Sequence, residues 1–102
     1  MDFGSIDISA AGMRVQRKRM DLIATNIANV DAVGPEPYRR QESTIVAGAG
    51  GMPSLRVTRS ASAVDPLVEM VDLISASRAY EANLTAVEVA KSMHQSALRI
   101  LG

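Results

Sequence analysis

The chain has 102 residues, 47% apolar and 22% charged, and its eleven basic residues balance eleven acidic ones. One domain is the natural size reading, and zero net charge excludes a global field that would draw nucleic acid or an anionic membrane. Cysteine and tryptophan are absent and aromatics are 3%, which excludes disulfide and zinc–thiolate chemistry and favours a core of packed helices built from Leu, Ile, Val, Met and Ala.

The opening "MDFGSIDISA" lacks the basic and continuous apolar regions of a secretory signal peptide, so any export is expected to proceed without a cleaved signal. No run approaches the roughly 20 apolar residues of a spanning helix, and the chain is read as not membrane-spanning. A first helix is expected from about Ser5 to Asn29. Ile6, Ala10, Met13, Arg17, Met20, Ala24 and Ile27 recur at steps of three and four, with Ile23 and Val30 widening the face. That is an amphipathic stripe of coiled-coil type. Ser5 or Asp7 is placed to cap its start, with Asp2 and Asp7 near the positive end of the dipole. Gly12 weakens the helix interior by about 1 kcal/mol relative to Ala, and would let a neighbouring helix come close.

Between residues 31 and 64 the character changes. "DAVGPEPYRRQ" carries helix-stopping prolines and a glycine. Two short strands follow, Gln41–Val46 and Leu55–Arg59, with "GAGGMP" as the turn between them. Such a hairpin is marginal alone and is expected to lean on another element. Asp65-Pro66 then reads as a cap followed by proline at the first helical position. Nothing from Leu67 to about Ile100 breaks the second helix, a rod of roughly 50 Å. Leu73, Tyr80, Val87, His94 and Leu101 recur along it at seven-residue steps. Beside them run Ala76 and Ala79, Asn83, Ala86, Ala90, Met93, Ala97 and Ile100. Together they make an apolar face too wide for one partner helix.

The chemistry-bearing residues point away from catalysis. His94 is the sole histidine, and no Asp or Glu one helical turn away orients its ring, so it reads as a packing residue. Asp65, Glu69 and Asp72 share a helix face and read as a solvated, dipole-complementing start rather than a cation site. Arg14, Arg17, Lys18 and Arg19 form a basic run without stacking aromatics, read as a solvated or intersubunit ion-pairing face. "GAGG" at 48–51 lacks the following GK[ST] of a phosphate loop. No enzyme, cofactor, metal, small-molecule substrate or nucleic acid is expected.

Two segments carry a resemblance. "DISAAGMRVQRKRMDLIATNIANVDA" with "PYRRQ", and "VDPLVEMVDLISASRAYEANLTAVEVAKSM", resemble the terminal regions of the FlgC-type family of bacterial flagellar basal-body rod proteins. The likeness covers roughly two thirds of the chain and is most specific over Glu69–Asn83. It implies a mainly α fold in which the long N- and C-terminal helices pair as an antiparallel, coiled-coil-like hairpin. Residues 1–30 and 65–102 would form an inner rod-core domain, and 31–64 a short linker or reduced outer segment, shorter than the family's usual insertion. It implies a structural subunit of the proximal rod, exported through the flagellar type III apparatus to the periplasm and transmitting motor torque around the export channel. Expected partners are the chain itself, other rod proteins, and export-gate or basal-body adaptor proteins. The expected subunit-packing residues are Ile6, Met13, Met20 and Ile27 on the first helix, and Leu73, Tyr80, Leu84, Ala86, Val87 and Met93 on the second. The alternative reading is a small secreted helical-hairpin binding module, against which the missing tryptophan and the long proline-bearing linker argue. Such a module would be compact alone, whereas a rod subunit would be partly disordered until assembled.

Overall fold

The computed structural model describes residues 3–31 and 38–101. Asp2, Gly34 and the prolines at 35 and 37, invoked above for the first helix dipole and the helix stop, lie outside the described residues, as does the Ser5 side chain. In chain order there are two long helices with a two-stranded sheet between them: α1 (Phe3–Ala28), β1 (Gln41–Ala47), β2 (Pro53–Arg59) and α2 (Pro66–Leu101). The protein measures 67 × 25 × 15 Å, and its length is set by the 36 residues of α2, about 54 Å of helix.

α1 starts before the expected position, so Ser5 is an interior helical residue rather than its cap. The far end does have a side-chain cap. Asn29 donates from Nδ2 to the Thr25 carbonyl at 2.8 Å, which also accepts the Asn29 backbone N–H at 3.2 Å, so the helix end is held by both groups of one residue. For α2 the expectation holds. Leu67 N–H donates to Asp65 Oδ1 at 3.0 Å, and Pro66 occupies the first position, where its missing N–H costs nothing.

The strands pair antiparallel, Gln41 opposite Arg59 through Ala47 opposite Pro53, each slightly longer than the alternation suggests. Gly50 and Gly51 sit in the turn at φ 68° and 77°, left-handed backbone that glycine adopts without a Cβ clash. The hairpin leans on α1, where Met52, Pro53 and Leu55 line a groove with Ala11, Arg14, Val15 and Lys18.

Two contacts fix the relation of the helices. Asn26 of α1 meets Glu69 of α2. At Gly12, fourteen residues back along α1, an added Cβ would lie 2.8 Å from Nδ2 of Asn83, fourteen residues on along α2. The helices therefore run in opposite directions between these contacts, two heptads apart on each. Gly12 permits the close approach that its position suggested. The core is small: Ala11, Val15, Leu22 and Ile23 from α1, and Ala76 and Val87 from α2. On α2 the inward line Glu69, Leu73, Ala76, Tyr80, Asn83, Val87, Ala90 and His94 advances by alternating steps of four and three, and each of its members is buried or half-buried.

Candidate assembly interface and its buried polar node

Where the hairpin meets both helices, polar residues replace apolar ones. Asn26 and Glu69 are each 0% exposed. The Asn26 side chain acts as a surrogate strand for β1: its Nδ2 donates to the Gln41 carbonyl at 2.9 Å, and its Oδ1 accepts from Gln41 N–H at 2.9 Å. The same Oδ1 accepts from the Tyr38 hydroxyl at 2.8 Å, and Nδ2 also reaches Glu69 Oε2 at 3.3 Å. All four hydrogen-bonding sites of the amide are thereby used. Tyr38 is held on its other side by the Arg59 guanidinium, 5.5 Å from its ring centroid, a cation–π contact.

Arg40 completes the node. Its Nε donates to Glu69 Oε1, Nη1 to Glu42 Oε1 at 2.9 Å and Nη2 to Asp72 Oδ2 at 3.1 Å. Three carboxylates on two elements are thus bridged by one planar fork, which a lysine ammonium cannot reproduce. Hydrogen bonding to Glu69 raises the Arg40 pKa above its ordinary value, against the lowering effect of burial, so the guanidinium is charged at every ordinary pH. No buried side-chain nitrogen or oxygen among the described residues lacks a partner, which is what a buried polar cluster requires to be tolerated.

The carboxylate reading from sequence is corrected here. Asp65 does cap α2, and Asp72 is half-buried, but Glu69 is not a solvated dipole partner. It is fully buried and ion-paired to a guanidinium from the hairpin side. The node itself, Asn26 with Arg40 and Glu69, was missed. One signal was present: Glu69 stands seven residues before Ala76 in the series Ala76, Asn83, Ala90, a charged residue at an inward register position.

The expected packing residues divide into two groups. Val87 is buried, and Leu73 and Tyr80 are half-buried on the α1-facing side. Ile6, Met13, Met20 and Ile27 are also half-buried, forming a flank beside the buried line Ala11, Val15, Leu22 and Asn26, while Arg17 and Ala24 of the same stripe are exposed. Leu84, Ala86 and Met93 are exposed, Met93 at 60%; Leu84, one turn after Tyr80, borders the inward line, whereas Ala86 and Met93 turn away from it. Val71, Val89 and Ile100 share the side of Met93, Ile100 at 85% exposed. The seven-residue series of α2 loses contact at its end, since Leu101 is exposed where His94 is half-buried. The antiparallel register explains this: Phe3 lies level with Ser92, so the last turns of α2 run past the described part of α1.

Comparison with known proteins bears on what covers these residues. The profile of the flagellar basal body rod FlgEFG protein C-terminal family matches residues 60–100, the whole of α2 except its last residue. The chain is 30% identical to the flagellar basal-body rod protein FlgC of Bacillus subtilis, over 96% of this chain and 97% of that one. It is 33% identical to the protein of that name from Borreliella burgdorferi, over 97% of each chain. With the Salmonella typhimurium protein the identity is 30%, over 85% of this chain and 88% of the relative. The Bacillus alignment runs over 145 positions against 102 residues here, so more than forty of its positions have no counterpart in this chain.

Proposed function

Because the chain belongs to the FlgC family of flagellar basal-body rod proteins, a family of structural, non-enzymatic proteins, we propose that it is a subunit of the proximal rod that transmits motor torque through helix packing around the export channel. The observation that carries this reading is the outward face of α2. Val71, Val89, Met93 and Ile100 are exposed on one side of it in the single chain, and an exposed apolar line along a helix marks a surface that a neighbour covers.

In this reading α1 and α2 form an antiparallel coiled-coil-like pair, the inner rod-core domain of residues 1–30 and 65–102. Residues 31–64 are the reduced outer segment, and the positions absent relative to the longer relatives belong there. The half-buried flank Ile6, Met13, Met20 and Ile27 joins Leu73, Tyr80, Leu84, Ala86, Val87 and Met93 as the packing surface, part toward the chain's own partner helix and part toward neighbours. Close-packed side chains resist sliding, so torsional load spreads over many small helix–helix contacts. The buried node serves the same end by clamping the hairpin to both helices. The subunit reaches the periplasm through the type III export apparatus. Its neighbours there are copies of itself, other rod proteins, and export-gate or adaptor proteins.

The test is a deletion strain and mass spectrometry of purified basal bodies. The expected result is a non-motile strain without filaments, and this chain present in wild-type basal bodies. Swimming cells whose basal bodies lack the chain would overturn the reading in favour of a helical-hairpin binding module.

A further inference from the structure

Two clusters of exposed charge lie outside the Arg40 node. Arg14, Arg17 and Lys18 are exposed on α1. Arg14 and Lys18 border the groove that holds Pro53 and Leu55, so this basic patch lies on the hairpin side. Glu81 and Glu88 are exposed on α2, one heptad apart. Glu81 comes nine residues after Asp72, about two and a half helical turns, and Asp72 faces Arg40. Glu81 and Glu88 therefore point away from the hairpin, beside a shallow apolar depression formed by Leu73 and Ile74. Gly12 faces Asn83, so the antiparallel run sets Arg14 level with Glu81 but Arg17 level with Arg78 and Asp7 level with Glu88, and opposite charges meet throughout only when a second copy is displaced by about four residues, about 6 Å, toward the C-terminal end of α1. Among the described residues none of the five side chains of the two patches makes an ion pair within the chain.

The order of signs matches as well. Along α1 the three basic residues are followed by exposed Asp21. Along α2, followed in the same spatial direction, Glu88 and Glu81 are followed by exposed Arg78. We propose that the basic patch of one copy docks laterally on Glu81 and Glu88 of a second copy displaced in this way, with Lys18 set toward Glu81 and Asp21 toward Arg78. The proposal rests on the rod reading above and names the contact between subunits. Two different patches on opposite sides make a heterologous contact, which propagates from copy to copy instead of closing a pair. Exposed ion pairs add little affinity, but they set register and penalise like-charge alignments. A chain of zero net charge with segregated patches is suited to that task.

The test is a charge swap made in cells and read as the amount of this chain in purified basal bodies. Arg14→Glu with Lys18→Glu is expected to lower incorporation on the order of tenfold or more, since like charges then face one another. Adding Glu81→Lys and Glu88→Lys to the same chain is expected to restore it. Unchanged incorporation of the first variant, or no recovery in the second, overturns the proposal while leaving the rod reading intact. Absence of the wild-type chain from basal bodies overturns both. A second readout uses the natural lack of cysteine. In basal bodies, Lys18→Cys with Glu81→Cys in one chain is expected to give an oxidised ladder of dimers and longer species, and each single variant none. Dimers from Lys18→Cys alone would show a patch meeting itself and would overturn the heterologous contact.

Discussion

Asn26 of α1 and Glu69 of α2 are joined side chain to side chain at 3.3 Å across 43 residues of sequence, and neither exposes any surface. Between them they tie together three elements, since Asn26 also holds the backbone of Gln41 on both its donor and its acceptor.

Asn26→Ala removes that bridge and leaves Gln41 N–H and the Tyr38 hydroxyl without their acceptor. The cost is expected to be about 2–3 kcal/mol, the penalty for stranding buried polar groups. Asn26→Asp is expected to cost more, because a carboxylate oxygen then replaces the amide donor facing Glu69. Urea unfolding of the purified chain, followed by helical circular dichroism, ranks the three; an Asn26→Asp midpoint equal to wild type would contradict the account.

Arg40→Ala strands Glu69 in the interior, a break of a buried pair that costs about 3–5 kcal/mol when fully desolvated. Arg40 keeps 19% of its side chain exposed, so solvent screening places the expected loss nearer the lower end. Arg40→Lys keeps the charge but not the fork, and is expected to recover less than half of it. The raised Arg40 pKa makes its contribution complete below the ordinary arginine value and lost only as pH rises through the raised one. Between about pH 5 and 9 Arg40 therefore supplies no pH dependence, and the Arg40→Lys deficit should be the same at both ends. The double variant Arg40→Met with Glu69→Leu should be more stable than Arg40→Ala, since it leaves no uncompensated buried charge.

At Gly12 size decides. A methyl group would meet only the tip of the Asn83 side chain, which can turn aside, and helix propensity favours alanine by about 1 kcal/mol. Gly12→Ala is expected to be within about 1 kcal/mol of wild type. Gly12→Leu must push the helices apart and is expected to cost about 1–3 kcal/mol, as overpacking does. Equal stability of the two variants would show that the helices are not held close at this point.

Ala86 and Met93 are exposed in the single chain, and Leu84 is at the edge of exposure. Leu84→Asp, Ala86→Asp and Met93→Asp are expected to change the chain's own stability by no more than about 0.5 kcal/mol, the usual range for surface sites. Each is nevertheless expected to block rod assembly, because a charge would be buried without a partner at the subunit contact. Motility assays of complemented deletion strains read this directly; normal swimming with all three would remove the outward face of α2 from the packing surface.

The helices, the hairpin with its glycine turn, and the Asp65-Pro66 start of α2 were legible in the sequence because each depends on neighbours within one turn or one strand pair. The seven-residue series of α2 was legible for the same reason: periodicity is local, and Leu73, Tyr80 and Val87 turn inward as their spacing implies. On α1 the periodic stripe picked the flank, Ile6 to Ile27, because the most buried line includes the polar residues Gln16 and Asn26, which an apolar pattern passes over.

The sequence by itself determined that this is a helical, cysteine-free, charge-neutral chain with more apolar helix surface than one partner can cover. Local propensity and period suffice for that. Only the tertiary structure decided which charges are buried and which are free. Spacing puts Glu69 in line with Ala76 and Asn83 and Glu81 off that line, but only the fold sets Glu69 inside against Arg40 and leaves Glu81 outside. The difference arises because desolvation and pairing depend on residues brought together from 29 positions away, and no spacing within one helix encodes that meeting.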